Sequence, residues 1–328
     1  MGHMHQHILQ SPAWEQFRKK TGVQVLSFTD GFRMTVHQIP YSRYTVGYLP
    51  KSPLPTRAVL EKISEAGKKH RCIFVKFEPD VVAGETELWH EGFDVRPSPH
   101  PLFTKYTFHI DLSLSEHNLL SRMKAKTRYN IRIAEKYGVT IVDETDNPAA
   151  FEHYIHLSKQ TWRRQHFRGH TEQYHRLMWE TLQPEGIAHL LVAYYPTANS
   201  QQSTANNHIP LTAWILFLHD GTLYYPYGAS SDEYKHVMAS NLMMWEAVKW
   251  GKQHGATMFD LWGSLGPHPD PTHEWYGFHR FKEGYGGSLV EYIGSFDLVL
   301  HPFLYFLYTI AHRVRKALLT LPMPGKSA

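Results

Sequence analysis

The order strands, helix, strand, helix, strand occurs twice along this chain, and that doubling limits the fold more than any other feature. In the first copy, Val23–Val36 reads as strands divided by the Asp30-Gly31 turn, and Tyr44–Leu49 as another strand. A helix over Thr56–His70 carries Val59, Ile63 and Ala66 on one face, and Cys72–Phe77 is a compact apolar strand. The turn-rich stretch Arg96–Pro101 closes the copy. The second opens with a strand at Thr104–Leu112 and continues through helical stretches at roughly 115–137 and 147–182. Strands follow at His189–Tyr195, Leu211–His219 and Thr222–Tyr227. A helix over 238–254 aligns Met238, Leu242, Trp245 and Val248, and the strand Met258–Trp262 comes after it. A short helix at Trp14–Lys20 precedes both copies, and the polar segment Pro196–Asn207 reads as a surface loop inside a hairpin. The pattern predicts an α/β (α+β) chain of two domains, each a mixed sheet flanked by helices.

Length and composition agree with that pattern and remove several functions. The 328 residues suit two domains, and 42% hydrophobic residues exclude global disorder. The single cysteine, Cys72, excludes a disulfide framework and a Cys-rich zinc site, and fits a reducing compartment. No metal is expected: His268, Asp270, His273 and Glu274 are ligand types, but the prolines among them suit a loop. There is no G-x-S-x-G elbow, and Cys72 sits in an apolar strand, so covalent catalysis finds little support. Residues 1–7 contain no apolar h-region, so a cytoplasmic location is expected. From Phe303 to Ala311 an apolar run precedes His312, Arg313, Arg315 and Lys316. That amphipathic tail reads as core packing or as peripheral contact with the inner face of the plasma membrane.

The net charge of +4 conceals its distribution. Residues 122–136 hold six basic side chains against one acid, Glu135. Lys159, Arg163, Arg164 and Arg168 lie on the next helical stretch, interleaved with Trp162, His166 and Phe167. Such clusters concentrate positive potential, and phosphates with stackable bases are their natural partners. The layout of strand, turn and helix at 223–240 is the one that N-acetyltransferase-like folds use for the pyrophosphate of an acyl-CoA. That cradle needs glycines, because backbone amides must approach the phosphate closely. Here the loop after Gly228 has no glycine and carries Asp232 and Glu233, so CoA is disfavoured and no cofactor is expected. In Phe278–Gly287, Lys282 stands beside Phe281 and ahead of three glycines, where it could hold a phosphate or an oxyanion. Glu78, at a strand end before Pro79, is either a catalytic carboxylate or a turn cap.

Three stretches together resemble the FemABX family: Lys124-Ala-Lys126-Thr-Arg128-Tyr129-Asn130-Ile131-Arg132; Tyr224-Tyr-Pro-Tyr227-Gly-Ala-Ser230 with Phe259-Asp260-Leu-Trp-Gly263; and Phe281–Gly287 with Glu291–Asp297. They fall in the family's order and spacing across most of the chain. The resemblance implies two tandem GNAT-like (acyl-CoA N-acyltransferase-like) domains, 1–104 plus 293–328 and 105–292, the chain's end returning to the first. It also implies an aminoacyltransferase that moves an amino acid from aminoacyl-tRNA to the stem-peptide side-chain amine of a peptidoglycan precursor. That precursor is lipid II or UDP-MurNAc-pentapeptide, and the product is an interpeptide branch. Residues 115–182 are occupied by domain helices, so a short form without the family's coiled-coil arm is expected, as a monomer.

Carried over by position, Lys282 and Phe281 lie where the family places groups near the tRNA 3′ end and the reacting ester. Tyr227 matches a precursor-contacting tyrosine, and Glu78 an acidic position. Arg18 stands where the family commonly has a lysine for the precursor diphosphate. Arg168 or Arg164 would supply a second phosphate contact, with His170 at the closest aligned position. A family acid near Ser295 is missing. Lys124, Lys126, Arg128 and Arg132 are the expected tRNA-binding residues. Two other readings keep much of the pattern: an N-acyltransferase of the same fold acting on a lipid or protein, and a non-enzymatic RNA-binding module.

Overall fold

The computed structural model describes residues 6–84, 92–165, 169–196 and 208–320. The expected hairpin loop at 196–207 therefore lies outside the described residues beyond Pro196. The chain divides into two units, Gly22–Phe103 with Tyr292–Ala328, and Met1–Thr21 with Thr104–Glu291.

The N-terminal helix departs from expectation. Helix α1 (Pro12–Lys20) starts on a Ser11 cap, whose hydroxyl accepts from the Trp14 N–H at 3.1 Å, with Pro12 in its first turn. Placed by sequence in the first domain, it belongs instead to the unit of 104–291. The reason is the destination of its apolar face. Trp14 packs against Phe217 and Phe17 against Tyr174, with ring centroids 6.1 and 4.9 Å apart. Each buried aromatic side chain contributes roughly 2–3 kcal/mol, which fixes the helix to that unit.

The unit of 22–103 and 292–328 is a six-stranded mixed sheet in the order β1-β2-β3-β4-β13-β5. Strands β1 (Gln24–Ser27), β2 (Arg33–Gln38) and β3 (Thr45–Pro50) form an antiparallel meander. Helix α2 (Arg57–Lys69) then crosses to β4 (Cys72–Glu78), which runs parallel to β3. Every residue of β4 is buried, including Lys76 and Glu78 within its otherwise apolar run. Two residues of β4, Ile73 and Phe74, oppose Val46 alone, and this bulge turns both toward α9 (Pro302–Thr320). Val75 and Phe77 face α2 with Leu60 and Ile63. Strand β13 (Phe296–Val299) is inserted between β4 and β5 (Val95–Pro97), antiparallel to both. Asp297 of β13 joins the Lys76 ammonium at 2.9 Å and accepts from Ser98 and Tyr305, each at 2.9 Å. That buried pair is hydrogen-bonded on several sides, the condition under which a buried charge is tolerated.

The second unit repeats the plan with seven strands, in the order β12-β6-β11-β10-β9-β8-β7. After β6 (Tyr106–Asp111), the first helical stretch divides into α3 (Glu116–Arg122) and α4 (Ala125–Lys136). The second divides, after the short strand β7 (Thr140–Asp143), into α5 (Pro148–Gln165) and α6 (Glu172–Leu182). None of these helices exceeds 18 residues, so none of them forms a long coiled-coil arm. Strands β8 (Ala188–Pro196), β9 (His208–His219) and β10 (Thr222–Ser230) form the meander, and α7 (Ala239–Gln253) crosses to β11 (Met258–Asp260), parallel to β10. Helix α8 (Tyr276–Glu283) and β12 (Ser288–Glu291) complete the unit. Both units thus carry one parallel pair bridged by a helix, and the expectation of two tandem mixed sheets flanked by helices is met.

Candidate functional site

Strand β10 carries the groups around which the second unit's polar chemistry is arranged. Tyr225 and Pro226 oppose Leu216 of β9 alone, in a bulge, since Tyr224 pairs with Phe217 and Tyr227 with Ile215. Proline has no N–H to lose from the ladder, so it is suited to that position. Tyr225 stacks on Trp214 at 3.9 Å and faces Lys282, whereas Tyr227 faces α1 and α6.

Lys282 lies in the last turn of α8 and is 7% exposed. Its ammonium donates to the carbonyl oxygens of Gly263 at 2.6 Å and Trp262 at 3.3 Å. Those carbonyls are aimed by an unusual turn after β11, in which Trp262 and Gly263 both have positive φ, 58° and 84°. Gly263 tolerates that backbone and Trp262 is strained by it, a strain of the kind stored at functional sites. Burial lowers the Lys282 pKa to about 8, and the neighbouring Asp260 opposes the shift. Asp260 is itself held by Thr107 Oγ1 at 2.5 Å and the Trp262 N–H at 2.8 Å. Ser264 and His279, 2.9 Å apart, tie the same turn to the middle of α8. Phe281 is half-buried and packs edge-on against Tyr285, with centroids 5.3 Å apart. The sequence did not single out Ser264 and His279, and Asp260 appeared only inside the quoted motif.

The basic segment begins where this helix ends. The backbone N–H of Lys124, which precedes α4, donates to the Gly284 carbonyl at 2.9 Å, and the Lys124 ammonium pairs with Glu283 at 2.5 Å. Gly286 makes the approach possible, because a Cβ there would collide with the Arg122 backbone. Lys126, Arg132 and Tyr129 are exposed along α4, Tyr129 by 57%. Arg128 differs from them. Its guanidinium turns back onto the carbonyls of Leu120 (3.3 Å) and Met123, closing the C-terminal end of α3.

A second polar cluster joins α1, α6 and β10. The Tyr174 hydroxyl oxygen accepts from Arg18 and from Tyr227, so the arginine and tyrosine chosen from sequence do meet. Burial raises the Tyr227 pKa well above its ordinary value. His170 stacks on Tyr174 at 3.8 Å, and burial together with Arg18 lowers its pKa. His175, 2% exposed, sits 4.8 Å from the Tyr227 ring, and burial lowers its pKa to about 4. Nothing in the sequence pattern marked Tyr174 or His175, because a helix wheel records an inward face without its neighbours. Arg164 goes elsewhere: it binds Asp232 at 2.7 Å and the Ser230 hydroxyl and carbonyl at 3.1 and 3.3 Å. Arg168 lies outside the described residues.

Glu78 belongs to the other unit. One carboxylate oxygen accepts from the Leu102 N–H (2.6 Å), the Phe103 N–H (3.1 Å) and the Ser295 hydroxyl (2.5 Å); the other accepts from Tyr48 at 2.6 Å. Among the described residues no group of three or more His, Cys, Asp or Glu side chains is placed to hold a metal ion.

Two tandem mixed sheets, with a buried lysine beside a basic helix, define a tandem acyltransferase-like protein. The FemAB family model matches residues 84–202 and 194–313, and the chain belongs to that family. It is 24% identical over 383 aligned residues to lipid II:glycine glycyltransferase of Staphylococcus aureus (strain USA300), covering 92% of this chain and 90% of that protein. The crystal structure of FemX superposes with a TM-score of 0.78 at 22% identity, covering 93% and 95% of the two chains. L-PGS from Bacillus licheniformis follows the same fold with a TM-score of 0.56 at 15% identity, covering 94% and 98%.

Proposed function

We propose that this chain transfers an aminoacyl group from aminoacyl-tRNA to the stem-peptide amine of a peptidoglycan precursor. The observation that carries this reading is the junction of α4 and α8. An exposed row of cations and one aromatic ring leads, through the Lys124–Gly284 backbone bond, to a buried ammonium. A polyanion terminating in an activated ester is the donor that such an arrangement suits. The similarity to a lipid II:glycine glycyltransferase over nine-tenths of both chains supports a precursor as acceptor.

The reaction is aminolysis of an ester. A neutral amine attacks the aminoacyl carbonyl carbon, an oxyanion forms, and collapse expels the ribose oxygen. The amine's proton passes to that oxygen through the neighbouring ribose hydroxyl. Because the ester is already reactive, alignment of the two substrates is the main requirement. Lys282 adds charge stabilisation. An ammonium has three donors, the Trp262 and Gly263 carbonyls take two, and the third remains for the oxyanion. With a pKa of about 8, the group is still about nine-tenths protonated at neutral pH. The Arg18–Tyr174–Tyr227 cluster is assigned to the precursor diphosphate.

The test is to incubate the protein with mixed charged tRNAs and either UDP-linked or lipid-linked stem peptide. Branched peptide product, identified by mass, is the expected outcome and names amino acid and acceptor together. Transfer to phospholipid or protein alone would move the acceptor, and no transfer from any charged tRNA would overturn the reading.

A further inference from the structure

Helix α9 presents two apolar faces where its unit needs only one. Its inner face carries Leu304, Tyr305 and Tyr308, and Tyr305 and Tyr308 meet Phe74 of β4 at 5.3 and 5.2 Å. The opposite face is open to solvent: Phe303 is 71% exposed, Phe306 60%, Leu307 45%, Ile310 42% and Val314 53%. At about 100° per residue these five fall within an arc of about 100°, one continuous stripe along the helix. Arg313 lies just past one flank of the stripe, and Arg315 lies about 80° beyond the other, on the side of Tyr308, both exposed. No Asp or Glu occurs anywhere from Leu298 to Ala328.

We infer that α9 lies on an anionic lipid bilayer, its outer stripe sunk among the acyl chains and its arginines at the headgroups. A stripe one helix wide, with two phenylalanines and flanking cations, has the composition of an interfacial helix. Arginine at the headgroup level is attracted by anionic lipid and lets its own stem cover apolar surface. The charge pattern also decides against a second copy of the chain. A second copy docked through this face would bring no carboxylate on its own helix to offset Arg313 and Arg315. No helix among the described residues is long and apolar enough to cross a membrane, so the helix lies on the bilayer. The inference is independent of the transfer reaction, and binding to vesicles tests it without any activity measurement.

The experiment is co-sedimentation of the full chain with phosphatidylglycerol/phosphatidylcholine vesicles and with phosphatidylcholine vesicles alone, at low and high salt. Binding to the anionic vesicles that weakens at high salt is expected, with little binding to phosphatidylcholine. Phe306→Ser with Leu307→Ser, and separately Arg313→Glu with Arg315→Glu, should each weaken it at least about tenfold. All four side chains are exposed, so the variants keep their folded circular dichroism. Absence of binding by the unaltered chain, or undiminished binding by the Arg313/Arg315 variant, overturns the proposal. So does a dimer in analytical ultracentrifugation that Phe306→Ser with Leu307→Ser converts to monomer while vesicle binding is unchanged.

Discussion

The Lys282 ammonium and the Gly263 carbonyl oxygen are 2.6 Å apart, and the glycine is half of a two-residue turn with left-handed backbone. A buried cation is thereby held by backbone dipoles, with the Asp260 carboxylate nearby.

Lys282→Met should remove that charge with little change in volume. Turnover is expected to fall on the order of 10²-fold or more, with precursor affinity changed less than about twofold. Single-turnover kinetics and equilibrium binding separate the two, and full turnover would sink the assignment. The same variant carries a stability signature. Folded Lys282 loses its proton near pH 8, whereas the ordinary value is 10.5. Between those values the unfolded chain binds the extra proton, so stability rises with pH across that window and falls back as pH drops through 8. Urea titrations should show the rise in the parent and not in Lys282→Met.

Arg18→Ala should raise the Michaelis constant for the precursor by about tenfold and spare turnover, as expected for a group that binds phosphate away from the reacting ester. Tyr174→Phe removes the acceptor that orients both Arg18 and Tyr227, and a smaller effect in the same direction is expected. Steady-state kinetics with varied precursor decides the matter; a loss confined to turnover would remove Arg18 from the diphosphate.

The cations of α4 divide by environment. Lys126→Ala and Arg132→Ala should weaken tRNA binding and lower its salt dependence by about one counterion each. Arg128→Ala should instead cost about 1–3 kcal/mol of stability, because it strands the α3 carbonyls that its guanidinium closes. Filter binding over a salt series, paired with thermal melts, distinguishes the two behaviours. A pure tRNA-binding effect in Arg128→Ala would contradict its inward placement.

His175 makes the second unit acid-sensitive. Its folded pKa is about 4 against an ordinary 6.5, so its contribution is full above pH 6.5 and is lost as pH falls to about 4. The loss is at most about 3 kcal/mol. Chemical denaturation at pH 7 and pH 5 should show the decline, and His175→Phe should flatten it. An unchanged slope would assign the acid sensitivity to other groups.

What the sequence made visible was whatever depended on neighbours along the chain. Strand β4 announces itself because Cys72–Phe77 is apolar at every position but Lys76, and α2 because its apolar residues recur at helical spacing. The destination of α1 was hidden, since Trp14 and Phe17 signal a buried face without saying which sheet receives it. Three- and four-residue strands such as β5 and β7 are too short to show a period. Around the candidate site, Arg18 and Tyr227 were chosen through the family resemblance, and Lys282 also from its setting beside Phe281 and the glycines. Tyr174, His175 and the Trp262-Gly263 turn were not, because each acquires its role only from residues far away in sequence. Arg128 and Lys126 were indistinguishable on paper, two residues apart, until the α3–α4 junction turned one inward.

The insertion of β13 between β4 and β5 sets an order of events during synthesis. Residues 296–299 leave the ribosome long after β4 does, and until they do β4 has an open edge and Lys76 lacks Asp297. The other unit has everything it needs once Glu291 has emerged. The sheet that is begun first is therefore finished after the other, and until then the nascent chain carries an unpaired strand for chaperones to shield.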